Sequence, residues 1–364
     1  MRFHVVFRGV TTGAATMQFI IALRNSRRMR AAVTPSEETL MKRERFSVVA
    51  GIVCAIVASS AAAQSFPTRP IRLIVPFAPG GNVDITGRII AAPLSTELGQ
   101  QVVVENRTGA GGTIGADFVA KAPPDGHTLL MASSSVMVNG PALYPKLPYD
   151  MVRDFAPIGR VAVVPLVIVV HPSVPAKTTR ELVAVAKAQG GNMLMANAGV
   201  GTTNHLVAEL FMISTGARMN LVPYKGSGPA LVNLIAGHVF AHVDQVSSAL
   251  PYIRANRIRA IAVTTAKRTA MLPDTPTLAE SGVGGFDEST VTGVLAPAAT
   301  PRDVVQRLNA ALVKILGAPA IKERFASLGA EAQPSASEEL GAWIRQDLAK
   351  WVKVVKQAGI KLEL

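Results

Sequence analysis

The 364-residue sequence contains a single cysteine, Cys54. It lies in a segment expected to be removed, so the mature chain would carry no thiol. That excludes disulfides and cysteine catalysis, and it fits an oxidising compartment. Aromatic residues make up 5% of the chain, and no block of Lys or Arg follows residue 45. Lys and Arg exceed Asp and Glu by 13 overall. Nine of the 37 basic and three of the 24 acidic residues precede Gln64, which leaves 28 against 21 from there on. So thin and dispersed a surplus excludes a nucleic-acid binder. It suits a small anionic ligand, whose approach the field favours.

Catalytic signatures are missing as well. There is no G-x-S-x-G elbow, no H-E-x-x-H and no G-x-x-x-x-G-K-[ST] loop. Gly109-Ala-Gly-Gly-Thr-Ile-Gly115 resembles a dinucleotide fingerprint but misses its last glycine, with Ile114 in that place. NAD binding is therefore not expected, although the turn is free to offer backbone amides to a cleft. His238 and His242 stand four apart on a predicted strand, where such residues share a face yet lie far apart, so no metal site is expected. No cofactor and no enzymatic activity follow from the sequence.

What is present begins with a leader. Lys42, Arg43 and Arg45 precede an apolar run, Phe46 to Val57, and Ala61-Ala62-Ala63 forms a small-residue cleavage site before Gln64. Residues 41–63 read as a secretory signal peptide cleaved after Ala63, with an uncleaved anchor as the alternative. The expected start is Met41, with residues 1–40 a misassigned or disordered extension.

From Gln64 onward, short β-rich runs alternate with helical patterns, the grammar of an α/β protein. Strands are predicted at Ile71–Val75, Gln101–Glu105, Thr128–Met131, Leu166–Val170, Asn220–Val222, Val239–Val243, Ile258–Val263 and Val291–Leu295, with a weak one at Met193–Met195. Thr178-Thr-Arg-Glu181 is a capping box. Thr300-Pro301 predicts a cap followed by proline at the first helical position, and Ser335 to Glu338 starts a last helix with the stripe Leu340, Trp343, Ile344, Leu348 and Trp351. Pro93 lies inside the helical pattern Asp84–Leu98 and predicts a kink or break near Ala92.

Two crossing segments, Val161–Val170 and Val291–Leu295, divide the mature chain. Residues 64–163 and 291–364 are expected to form domain 1, and residues 164–290 an inserted domain 2. The cleft between them is the expected ligand site. Two glycine turns, one per domain, each run from a strand into a helix start. The first is Pro76-Phe-Ala-Pro-Gly-Gly81, leading to Asp84. The second is Ala196-Asn-Ala-Gly199-Val-Gly201-Thr202-Thr203-Asn204-His205. Each reads either as a plain connection and cap or as a seat for a carboxylate on helix amides. Taken together, they imply helix N-termini facing one another across the cleft. His205 reads as a structural hydrogen-bonder, because no carboxylate is evident to orient it as a base.

Over these residues the chain resembles the Bug family of periplasmic solute receptors, the TctC-type binding components of tripartite tricarboxylate transporters. The resemblance rests on Pro70-Ile-Arg-Leu-Ile-Val-Pro-Phe-Ala-Pro-Gly-Gly81 with Asp84, Val102-Val-Val-Glu-Asn106, Gly109-Ala-Gly-Gly112 and Lys121-Ala-Pro-Pro-Asp-Gly126. Pro141 to Pro145, Val222-Pro-Tyr-Lys-Gly226, Ser248-Ala-Leu-Pro251 and Leu272-Pro-Asp-Thr-Pro-Thr277 complete the series. It implies a type II periplasmic-binding-protein fold with two hinge crossings, each domain a mostly parallel sheet flanked by helices. It also implies a small-carboxylate ligand and delivery to membrane permease subunits. A monomer that binds no nucleic acid is expected; the alternative role is presenting ligand to a sensor kinase.

By the same resemblance, the ligand-binding residues are Phe77, Pro79, Gly80, Gly81 and Asp84 from the first turn, and Ser133 and Ser134 after the third strand. Domain 2 contributes Ala198, Gly199, Gly201, Thr202, Thr203, His205 and Asp244. Asp84 and Asp244 are candidates either for holding an ammonium or hydroxyl group or for capping. Asn82-Val83 and Gln245-Val246-Ser247 depart from the family pattern and bear on ligand identity.

Overall fold

The computed structural model describes residues 66–144 and 146–358. The signal segment, its cleavage site, Cys54 and the 1–40 extension lie outside these residues.

Ten strands are found among the described residues: β1 (Ile71–Val75), β2 (Val102–Asn106), β3 (Thr128–Ser133), β4 (Phe155–Val170), β5 (Leu194–Asn197), β6 (Asn220–Pro223), β7 (Ala241–Gln245), β8 (Arg259–Val263), β9 (Ser289–Pro297) and β10 (Glu331–Ala332). The helices are α1 (Asn82–Leu98), α2 (Thr113–Ala120), α3 (Gly140–Leu143), α4 (Thr179–Ala188), α5 (Thr203–Thr215), α6 (Ser227–Ile235), α7 (Val246–Arg254), α8 (Arg302–Gly317), α9 (Pro319–Ala326) and α10 (Ser337–Ala358).

The strands follow the order β2-β1-β3-β9-β4-β7-β5-β6, with β8 and β10 also paired to β4. The apolar run of β1 is buried because it is the middle strand of a parallel trio with β2 and β3, the setting in which continuous apolar runs occur. A second parallel trio, β6-β5-β7, forms the far end. Between them runs β4, much longer than the predicted Leu166–Val170. Its residues Phe155–Pro165 pair antiparallel with β9, whereas Leu166–Val170 pair with β7 and β8. The exchange of partners falls at Pro165, which has no N–H to offer the ladder. Separate apolar clusters fill the two halves: Ile71, Leu130, Leu312 and Phe325 belong to one, Phe211 and Leu182 to another, and Leu231 and Leu250 to a third.

Several local expectations need correction. Helix α1 starts at Asn82 and runs without a break through Pro93. Pro93 and Ile89, whose carbonyl it leaves without an amide, are both only partly buried, so water reaches that face. Pro301, not Thr300, occupies the N-cap of α8; the Thr300 hydroxyl donates to the Pro297 carbonyl instead. Helix α10 begins at Ser337, because the Ser335 hydroxyl is engaged by the Arg160 amide and the Ala336 carbonyl. Strand β7 begins at Ala241, so exposed His238 stands outside it and bonds Asn233. The two-residue β10 has no apolar run to announce it. The Thr178–Glu181 capping box forms as predicted, and Leu340, Ile344 and Trp351 of the α10 stripe are buried.

Candidate functional site

The carboxyl ends of β1, β3, β5, β6 and β7 point toward one place. This is where open α/β sheets leave a crevice. There, a small cavity of about 20 Å³ is lined by Phe77, Gly81, Asn82, Val83, Ser133, Ser135, Ala198, Thr202, Asn204, Ser227 and Gln245. Four helices start at this cavity: α1 at Asn82, α5 at Thr203, α6 at Ser227 and α7 at Val246. The N-caps of α1, α6 and α7 carry no side-chain hydrogen bond. First-turn amides have no acceptor inside their own helix, and each N-terminus carries a partial positive charge. No ionisable side chain is among the lining residues. The cavity is therefore a cluster of neutral donors that favours an anion. Its volume is about that of one water.

The walls are braced. Gln245 Nε2 donates to Asn204 Oδ1 (3.0 Å) and Thr290 Oγ1 (3.1 Å), and its Oε1 accepts from Ser227 (3.3 Å). Asn204 Nδ2 donates to the Val243 carbonyl at 2.8 Å. Direct hydrogen bonds also join the two ends of the sheet across the cavity. Ala78 N donates to Lys225 O at 2.9 Å, and Asn139 Nδ2 to Thr203 Oγ1 at 2.9 Å. Thr203 N donates to Ser135 Oγ at 3.1 Å, and Ser247 Oγ to Asn82 Oδ1 at 2.8 Å. The Tyr144 hydroxyl donates to Val200 O at 3.1 Å. Gly228 lets the Pro79 carbonyl come closer than any side chain would allow.

Of the residues singled out in the sequence, Phe77, Gly81, Ser133, Ala198 and Thr202 line the cavity. The others stand around it. Gly80 has φ +82 and donates its amide to Asp84 Oδ2, and Pro79 abuts Gly228. Asp84 also accepts from Arg88 and Asn106. Burial raises its pKa, but the Arg88, Asn106 and Gly80 hydrogen bonds outweigh this and hold the carboxyl below its ordinary value. Ser134 accepts from Val291 N at 2.9 Å. The Gly199 carbonyl accepts from Thr202 Oγ1, and Gly201 packs against Tyr144. Thr203 is engaged by Ser135 and Asn139.

His205 accepts from Gly201 N through Nδ1 at 3.4 Å, and burial pushes its pKa down to about 4. Its contact with Glu209 is 3.7 Å, and burial raises the Glu209 pKa; with His205 neutral near pH 7 the two make no ion pair. Asp244 is fully buried, takes a hydrogen bond from Ser248 and faces His242 at 3.7 Å. The Gly109–Gly112 turn packs Gly111 against the Val200 carbonyl rather than opening into the cavity.

Six lining residues were not singled out as binding residues: Asn82, Val83, Ser135, Asn204, Ser227 and Gln245. All but Ser135 occupy the first turn or the N-cap of α1, α5, α6 or α7, a signal available wherever a helix start is identified. A larger groove of about 620 Å³ lies beside the crossing strands, lined by Val163, Pro165, Lys267, Arg268 and Asp287 among others. No helix starts among its lining residues, so it lacks the donor cluster.

Paired parallel trios joined by crossing strands, with an uncharged donor cavity at their carboxyl ends, define a solute-binding protein. The family described as the tripartite tricarboxylate transporter family receptor matches residues 86–360, and the chain belongs to that family. A protein of R. palustris solved with adipate is 36% identical, covering 82% of this chain and 99% of that one, with a TM-score of 0.79. The periplasmic binding protein BugD is also 36% identical, covering 81% and 99%, with a TM-score of 0.79. MatC from Rhodopseudomonas palustris, solved with malate, is 33% identical, covering 80% and 100%, with a TM-score of 0.77. The protein is a periplasmic-type solute-binding receptor and not an enzyme.

Proposed function

We propose that this protein is exported by a signal peptide cleaved after Ala63, captures a small carboxylate-bearing solute and delivers it to the membrane subunits of a tripartite tricarboxylate-type transporter. The observation that carries the ligand class is the convergence of four helix N-termini on one cavity lined by no charged side chain. Each N-terminus contributes about 0.3–1 kcal/mol toward an anion, more where it is partly buried. That relatives of similar fold were solved with adipate and malate supports the same class. Residues 64–163 and 291–364 act as one domain and residues 164–290 as the other, turning about the crossings near Pro165 and Ser289. A cavity of about 20 Å³ and five direct hydrogen bonds across it support reading this arrangement as the closed one. A dicarboxylate enters only when the halves part.

The test is a thermal-shift panel of mono-, di- and tricarboxylates, amino acids and aromatic acids on protein recovered from the periplasm. A ligand present at a hundredfold its Kd adds about 2.7 kcal/mol. A raised melting point confined to carboxylates supports the reading, and a flat panel on folded, ligand-stripped protein rejects it.

A further inference from the structure

Glu288 stands immediately before β9, where the chain crosses from one half of the sheet to the other. Its backbone is fixed to the half that holds β8. Glu288 N donates to Thr264 O at 3.1 Å, and Thr264 Oγ1 donates to Glu288 O at 2.7 Å. Thr264 N in turn donates to Leu166 O on the other crossing strand, at 3.1 Å. The Glu288 side chain is 18% exposed and meets a helix of the opposite half. Lys350 Nζ of α10 lies 3.7 Å from Glu288 Oε1. Helix α10 is anchored in that half by Leu340, Ile344 and Trp351, which belong to the same apolar cluster as Ile71 and Leu130. One carboxyl is therefore held between the two halves at the place where both strands cross.

The charges at this place do not balance. Those acting on Glu288 are Lys350 and Asp347 from α10 and Asp287 from its own segment. Lys350 also acts on Asp347, to which the Trp351 side chain donates. Three carboxyls thus face one ammonium, and the Lys350 side chain is 54% exposed, so water screens it. Burial raises the Glu288 pKa above its ordinary 4.5; Lys350 opposes this, and Asp347 and Asp287 add to it. Burial likewise raises Asp347 above its ordinary 3.8, against Lys350 and Trp351.

We propose that Glu288 and Asp347 form a pH-sensitive latch at the hinge, taking up protons as the halves close, so that mild acidity holds the receptor closed and neutrality loosens it. The proposal rests on reading the present arrangement as the closed one, with the halves turning near Pro165 and Ser289. Parting them returns both carboxyls to water and to their ordinary acidity, so the open form releases protons that the closed form keeps. The contribution to closure is fully present below about pH 4 and is lost as pH rises through the raised values of the closed form.

The experiment is fluorescence energy transfer on the exported protein, with one dye on each half. No cysteine follows Cys54. Val232→Cys on α6 and Val313→Cys on α8, both exposed, therefore place the dyes. Transfer is read from about pH 7.5 to about pH 5, with and without malate. The closed-to-open ratio should rise at least about threefold across that range. Glu288→Gln should remove most of the rise, and the comparison cancels the titration of malate itself. Asp347→Asn should remove part of it and serves if the Gln variant does not fold. Lys350→Met removes the opposing ammonium and should move the transition to higher pH, a shift that lost packing alone would not produce.

No pH response in either condition, the same response in Glu288→Gln as in the unmodified protein, or closure favoured at the alkaline end would each overturn the proposal. A pH response without malate, joined to no closure on adding malate or any other carboxylate, would support the latch while removing the carboxylate reading.

Discussion

At the scale of the residue, His205 shows how position decides chemistry. Within a proposed binding turn it reads from the sequence as a structural hydrogen-bonder, and its ring is buried with Nδ1 accepting from the Gly201 amide. Its folded pKa of about 4 lies below the ordinary 6.5, so the unfolded chain takes the proton first as pH falls. The stability linked to neutral His205 is thus fully present above about pH 6.5, declines toward pH 4 and changes no further below it. The decline amounts to up to about 3 kcal/mol. Melting curves of the unmodified protein should show it, and His205→Gln should flatten it. Asp84 has the same sign in a more acidic window: its pKa is also lowered, so it contributes stability that disappears as pH falls below about 4. Asp84→Ala should destabilise by about 1–3 kcal/mol, because the Gly80 amide and Asn106 lose their acceptor, whereas half-exposed Arg88 regains water. Urea denaturation at pH 7 measures this; a change within error would mean that the Asp84 hydrogen bonds to Gly80 and Asn106 carry no net energy.

At the scale of the element, helix starts explain both what was legible and what was missed. The Thr178–Glu181 box is a local motif, complete in four residues, and it forms. Thr178→Ala should cost about 1 kcal/mol, readable as a lower urea midpoint at unchanged slope. Thr300 and Ser335 carry the same sequence signal but serve other partners, since the Pro297 carbonyl and the Arg160 amide compete for their hydroxyls. Local pattern cannot rank such competitors, because one of them arrives from 175 residues away in the chain. Helix α1 makes the reverse point: tertiary packing on its buried face, Ile90, Ala91, Leu94 and Leu98, carries it past Pro93.

At the scale of the whole molecule, the proposed function makes closure the governing event. Tyr144 lies outside the cavity lining, yet its hydroxyl joins the two ends of the sheet through Val200 O. Tyr144→Phe removes one such bond and lowers the closed population, so ligand Kd should rise about two- to tenfold without loss of any ligand contact. Titration calorimetry measures it; an unchanged Kd would mean that this bond does not distinguish closed from open protein. Because the cavity is lined by amides, hydroxyls and carboxamides, affinity should fall only modestly between low and physiological salt. A steep loss would instead place Lys or Arg side chains on the ligand.

The sequence by itself determined the α/β alternation, the buried strand β1, the two glycine turns and the family, because each of these is written in contiguous residues whose spacing and backbone freedom act locally. It also carried part of the cavity wall, including Phe77, Gly81, Ser133, Ala198 and Thr202. Only the tertiary structure decided that α6 and α7 bring Ser227 and Gln245 to the same cavity as α1 and α5. Only it decided that Asp84 is spent on Arg88, that Ser248 engages one oxygen of Asp244, and that Ser247 bonds Asn82 across the cavity. The physical reason is that a helix start is made by its own few residues, whereas the direction it faces is fixed by strand order, which joins residues far apart in the chain.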